Sequence, residues 1–446
     1  MANKRSQKNV KSSNSKTSSI GVGKKRASPA VSSGGSPAKR PKVDHRSHSD
    51  TAGLVLAVGE GDVGQLGLGP DVMEKSRAGL VAIPSKCIQA VAGGMHTVCL
   101  TVNGDVFTFG CNDEGALGRD TSEDDSEMTP AIMNINTKFV QISAGDSHTA
   151  MLTNDGQVYA CGTFRDANGS IGLTDKGPET RAVHLPCPKV IIKIVSGSDH
   201  ILALSEDGFV FSAGCAEQGQ LGRIAECFAT RGGRKGLHHL LKLQQVHFQG
   251  TRTNRKPKFD DIWAGTYVSF AKSTNGDIYA WGLNNYYQLG TGDMENKYVP
   301  TLVSELPADK KWQCIAGGQH HTIALSKDGE VYSMGRGTYG QLGLGESSTN
   351  DVTELTKVAS LTEKCSSVEA SSSVSFALGT SGKAYGWGMG TCKQLSNGEE
   401  EDQFEPQPMV GKQLANKEVL TVSSGGQHTI LLAREKPDSG DQAGSG

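Results

Sequence analysis

From Leu54 onward the chain repeats one arrangement of apolar and polar positions. Each copy opens on small residues and a histidine or its substitute, then runs through an apolar stretch of strand length. A turn follows, then a second run with aromatics, a glycine, and a Gly-Gln-Leu-Gly element. One copy shows it whole: Gly93-Gly94-Met95-His96-Thr97, Asn103-Gly104, Val106 to Gly110, and Gly115-Ala116-Leu117-Gly118. Short alternating runs punctuated by Asn-Gly or Asp-Gly pairs predict β-hairpins, because the tight turns between strands need positive φ. The histidine position recurs at His96, His148, His200, Tyr267, His321, Val374 and His428, in steps of 52, 52, 67, 54, 53 and 54. The leucine of the last element recurs at Leu66, Leu117, Ile171, Leu221, Leu289, Leu342 and Leu395, with the long step in the same place.

Four strands fit each period. The expected fold class is therefore all-β, a seven-bladed β-propeller. Its ends are incomplete copies. Leu54–Val58 and Gly64–Gly67 supply only a second half, and Gly425–Leu432 only a first half. The N- and C-terminal segments are expected to share one blade, which closes the ring and removes its open edges. The domain reading is a disordered basic tail over 1–50, the propeller over 51–434, and a flexible C-terminus over 435–446.

Composition narrows the class. The chain has 57 glycines in 446 residues, 36% apolar residues and 6% aromatics. No apolar run approaches the roughly 18 residues of a membrane helix, so no membrane partner is expected. No apolar segment follows Met1, so no secretory signal is expected. The ten cysteines include no CxxC pair and several lie in apolar runs, which points to reduced buried thiols. Neither a metal nor a cofactor is expected. The acidic run Asp120–Glu127 lacks EF-hand spacing. Gly59-Glu60-Gly61-Asp62-Val63-Gly64 fits a dinucleotide fingerprint, but Gly67, Gly69 and Pro70 prevent the helix that motif needs.

Charge divides the chain. Residues 1–50 carry 12 Lys/Arg against Asp44 and Asp50, leaving 33 basic and 45 acidic residues for the rest. A tail with a net charge of +10 should be drawn to a polyanion, with counterion release making the attraction salt-sensitive. Lys4, Arg5, Lys24, Lys25, Arg26, Lys39, Arg40 and Lys42 are the candidate contacts to DNA and to nuclear import receptors. The clusters Lys24-Lys25-Arg26 and Lys39-Arg40-Pro41-Lys42 resemble a bipartite import signal, and the plain alternative is a solvated basic tail. Phosphate on Ser28 or Ser36, each followed by proline, would subtract charge there.

Breaks in the repeat carry the functional reading. His320 reads as inserted before the repeat histidine His321. Asp146 and Asp199 stand in the same loop of their own copies, where others have Gly94 or Met95. The alternative is a turn aspartate bonding its own backbone. Thr163 to Gly172 runs longer than its counterparts and has a glycine turn, so it can project as a hairpin or be a tolerated insertion. The long step places an insertion at about Ala225 to Phe259 with eight basic residues and one acid, Glu226. Arg231 and Arg234 there suit carboxylate or phosphate, unless the loop is only solvated. The repeat histidines read as buried imidazoles bonding backbone.

This repeat, in its number and offset, resembles the regulator of chromosome condensation family. The resemblance covers about residues 53–434. It rests on Gly61-Asp62-Val63-Gly64-Gln65-Leu66-Gly67-Leu68-Gly69, Phe109 to Asp120, and Ser143 to Thr149. It implies a chromatin-bound guanine nucleotide exchange factor for the small GTPase Ran, binding Ran with GDP, with GTP or without nucleotide. Asp146, Asp199 and His320 then match residues implicated in exchange, and Asp62 a further acid on the same face. Phe164, Arg165, Asp166, Ala167, Asn168 and Gly169 match a β-wedge that enters the GTPase. The basic insertion, with Arg231 and Arg234, matches a loop that meets the acidic patch of histones. Asn3 stands where some members have a proline that marks terminal methylation. Rival readings are a chromatin scaffold without exchange and a hydrolytic propeller, and the latter lacks an activated nucleophile. Because the blade motif alone implies only fold, loops and tail carry the difference.

Overall fold

A computed structural model describes residues 51–229, 236–248, 257–304, 306–307, 309–346 and 350–436. Seven four-stranded antiparallel sheets form a ring. Blade 1 is composite: Lys417–Ser424 and His428–Glu435 supply its inner strands, and Leu54–Glu60 and Glu74–Leu80 its outer ones. Leu54 to Gly59 pair with Ala433 to His428 in continuous antiparallel register. Closure is therefore a zipper between the two ends. Blades 2 to 7 begin with the inner strands Cys87–Ala92, Phe139–Ala144, Ile191–Ser196, Phe259–Ala264, Trp312–Gly317 and Cys365–Ser371. The seven inner strands line a central channel of about 520 Å³.

The core consists of seven seams. Each pair of neighbouring blades encloses its own apolar cluster, as where Phe139, Ile142 and Met151 meet Val98, Leu100 and Val106. The expected alternation fails in the second strands for this reason. His96–Thr101, His148–Thr153, His200–Ser205 and His321–Ser326 are buried at every position, since a blade covers each face.

Polar residues of the repeat lock the seams. His428, His96, His200 and His321 place Nε2 at 2.9, 3.0, 2.9 and 2.8 Å from Thr97, Thr149, Ser269 and Ser375 of the next blade. Those four hydroxyls donate to the carbonyls of Gln65, Ala116, Gln220 and Gln341. Each hydroxyl has one proton, so Nε2–H must be the donor. The tie thus reaches a neighbour's side chain rather than the blade's own backbone. The element's last glycine is also explained: Gly67 has φ +64, and a Cβ there would lie 2.6 Å from the Phe109 ring of the next blade.

Sheet register corrects one assignment. His96, His148, His200, His321 and His428 each pair with a glycine at or next to the end of the third strand, and the corresponding residue in blade 5 is Val268, opposite Gly282. Tyr267 is not the repeat position. Val268 fills that seam as Val374 does in blade 7.

Candidate functional site at the channel mouth

Connectivity puts the loops after the first and third strands of every blade at one end of the ring. Asp146, Asp199 and His320 follow first strands; Asp62 and the segment after Gly162 follow third strands. The expected residues therefore share one face. They do not form one cluster. Asp146 and Asp199 line the channel mouth, with Tyr267 beside them, whereas His320 does not line it. His320 occupies a turn of ordinary length, closed by Gly318 N–H to His321 O at 2.9 Å, like Gly93 to His96 at 2.8 Å. It is a substitution, not an insertion. Asp199, Tyr267 and His320 hold equivalent rim positions in blades 4, 5 and 6.

Each rim group has a defined setting. Burial raises the Asp199 carboxyl to about 7, opposed by the Arg165 amide, which donates to its Oδ1 at 2.8 Å. Nearby Asp146 adds to the rise. Asp146 has an open face to solvent but is recessed among protein walls, and that recess raises its carboxyl while Arg165 opposes it. Its amide donates to Ser198 O at 2.7 Å. His320 Nδ1 lies 3.3 Å from Asn285 Oδ1, and its ring meets Tyr286 edge-on at 4.9 Å. Burial, then the Arg336 charge, lowers its pKa. Asp62 is exposed and accepts from Gln65 Nε2 at 3.1 Å.

The longer segment of blade 3 is a two-stranded hairpin, Phe164–Asp166 against Gly169–Gly172. Phe164 is fully buried against His148 at 4.8 Å and roots it. Thr163 Oγ1 accepts from the Gly172 amide at 3.1 Å and lies 2.7 Å from Ser170 Oγ. At the tip, Asp166 caps the Asn168 amide at 2.8 Å, and Gly169 has φ +106 with open space around it. Arg165 Nη1 pairs with Glu114 at 2.5 Å, and the Ala167 amide donates to Glu217 Oε2 at 2.9 Å. The sequence pattern assigns no role to Glu114 or Glu217, and gives Tyr267 only as a repeat position. A signal was present for the glutamates: the copies flanking the long segment each carry an acid after their own third strand.

The basic insertion is not one loop. Gln244–Gln245 pairs with Ser212 and Phe211 as the fourth strand of blade 4, dividing the segment between Ala225 and Phe259. Arg231 and Arg234 lie outside the described residues. So do Lys4, Arg5, Lys24, Lys25, Arg26, Lys39, Arg40 and Lys42. The ten cysteines are free thiols.

The architecture is that of a closed propeller scaffold whose polar chemistry gathers in the loops of one face. Residues 54–431 match the family model of the RCC1-like domain. Regulator of chromosome condensation from Xenopus laevis is 50% identical over 398 residues, 89% of this chain and 93% of that protein. Guanine nucleotide exchange factor SRM1 of Saccharomyces cerevisiae is 31% identical, over 89% of this chain and 93% of its own. The crystal structure of Prp20p from Saccharomyces cerevisiae, reported with its binding properties to Gsp1p and histones, superposes with a TM-score of 0.79 at 30% identity, covering 88% of this chain and 93% of Prp20p. The chain belongs to the regulator of chromosome condensation family, with its RCC1-like domain.

Proposed function

We infer that the chain is a guanine nucleotide exchange factor for a Ran-type GTPase, acting on chromatin in the nucleus. The observation that carries the reading is the hairpin Phe164–Gly172, standing beside an acidic channel mouth in a chain whose relatives include a named exchange factor.

The mechanism needs no covalent step. A GTPase holds its nucleotide through backbone amides, a lysine and Mg²⁺. A factor that prefers the nucleotide-free form weakens nucleotide binding by the same ratio. A ten-thousand-fold weakening takes about 5.5 kcal/mol of preference. In this reading the hairpin tip, Asp166 to Gly169, displaces the phosphate-holding loop. Asp146 compensates basic groups bared when phosphate leaves, and Asp199 holds the hairpin root. Asp62 and His320 extend the contact around the rim. GDP and GTP are released alike, so the direction of exchange follows their concentrations.

The chromatin part rests on charge and on relatives. Prp20p is described with histones, and here Arg231 and Arg234 are the groups for an acidic histone surface. The basic tail would contact DNA phosphates with an affinity that falls with salt. Its two clusters would serve import receptors.

The test is release of fluorescent GDP from Ran into excess GTP. The full chain should accelerate release, and Asp199→Ala should lower that rate at least about tenfold. No acceleration by the folded protein would leave a chromatin scaffold as the better reading.

A further inference from the structure

Two strands alone are marginal in water, so the direction of this hairpin must be set by what holds it. Arg165 lies in the hairpin's first strand and Ala167 opens the turn after it, and both amides are taken by side chains of blade 4. Among the described residues, the strand Phe164–Asp166 has no third strand beside it. Blade 4 covers that side of the strand and the turn with side chains instead. Asp199 takes the Arg165 amide at 2.8 Å, and Glu217 takes the Ala167 amide at 2.9 Å. From the other side, Glu114 of blade 2 holds the Arg165 guanidinium at 2.5 Å. Glu217 is itself anchored: its carbonyl accepts the Tyr298 hydroxyl at 3.0 Å, and its turn closes from Gly219 N–H to Ala216 O at 2.9 Å.

We propose that Glu217 and Glu114 are positioning residues for exchange, carboxylates that stand in for missing sheet neighbours and aim the hairpin tip at the GTPase without touching it. This rests on the exchange reading above. The load is divided: Asp199 holds the root, Glu217 the approach to the tip, and Glu114 the flank. The Ala167 amide is exposed where Glu217 accepts from it, and the Arg165–Glu114 pair is half-buried. Both bonds are charge-assisted, so Glu217 and Glu114 should carry comparable shares.

The experiment uses the full chain with Glu217→Ala, Glu217→Gln and Glu114→Ala. Two quantities are read: hydrogen exchange at the Ala167 amide, and kcat and KM for GDP release from Ran. Glu217→Ala should speed Ala167 exchange and lower kcat, each about tenfold, with KM changed less than about twofold. Glu217→Gln keeps an accepting oxygen and should restore most of both. Glu114→Ala should lower kcat in the same direction and to a similar extent. Unchanged Ala167 exchange and kcat in folded Glu217→Ala would overturn the proposal. So would a raised KM at unchanged kcat, which marks a direct contact. If Glu217→Ala frees the amide while the wild type never accelerates release, the clamp stands and the exchange reading falls.

Discussion

At the scale of single residues, burial sets the titration of the molecule. His148, His200, His321 and His428 are held down at about 3 and His96 at about 4, all by desolvation, against an ordinary 6.5. As pH falls below 6.5 the unfolded chain takes up protons there that the fold refuses, so stability drops. Two carboxyls act in the opposite sense. Burial raises Asp199 to about 7 and Glu369 to about 8, so their stabilising contribution is lost as pH rises through those values. Between 4.5 and 6.5 five imidazoles outweigh two carboxyls. The melting temperature should therefore peak near pH 6.5 and fall on both sides. A scanning calorimetry series from pH 5 to 8 checks this, and a flat profile would mean the histidines are not held neutral.

At the scale of elements, the hairpin and the blades are separate investments of the chain. The hairpin lies outside the seven seams, apart from Phe164 and Ile171 at its root. Replacing residues 166–169 with a shorter glycine turn should abolish acceleration of nucleotide release while shifting the melting temperature by less than about 2 °C, because surface changes away from packing cost little. Equal loss of folding and exchange would show the hairpin to be part of the seam. The hairpin was legible as a length difference between copies. Its clamp was not, since Glu114 lies about fifty positions before the hairpin and Glu217 about fifty after it. Tyr267 was hidden for a related reason. One apolar residue, Val268, replaces the histidine, and spacing alone points to its more polar neighbour as the repeat position. Only strand pairing separates a seam residue from a rim residue one place away.

At the scale of the whole molecule, stability depends on a zipper between distant ends. Leu54 to Gly59 contribute Val55, Leu56, Ala57 and Val58, all at most 2% exposed, to two seams at once. Deleting Leu54–Val58 opens the ring and leaves the strand His428–Glu435 as an unpaired apolar edge. The melting temperature of that variant should fall by 10 °C or more, on the order expected for several buried side chains lost together. Deleting the first 40 residues should leave it unchanged. A deletion of Leu54–Val58 that melts like the wild type would rule out closure as the source of stability.

Seven copies, their offset and the composite blade follow from the sequence alone. Period-two runs, turn glycines and the recurring Gly-Gln-Leu-Gly element are local, and each copy repeats the message. The family also follows, because its marks are contiguous. Tertiary structure decided three things that contiguity cannot express. It showed that the repeat histidines bond the next blade, because every blade is covered on both faces. It divided the basic insertion by returning Gln244–Gln245 to the sheet. And it separated His320 from the acidic mouth while adding Glu114 and Glu217 to the hairpin, because a ring brings together loops about fifty residues apart that no sequence window contains.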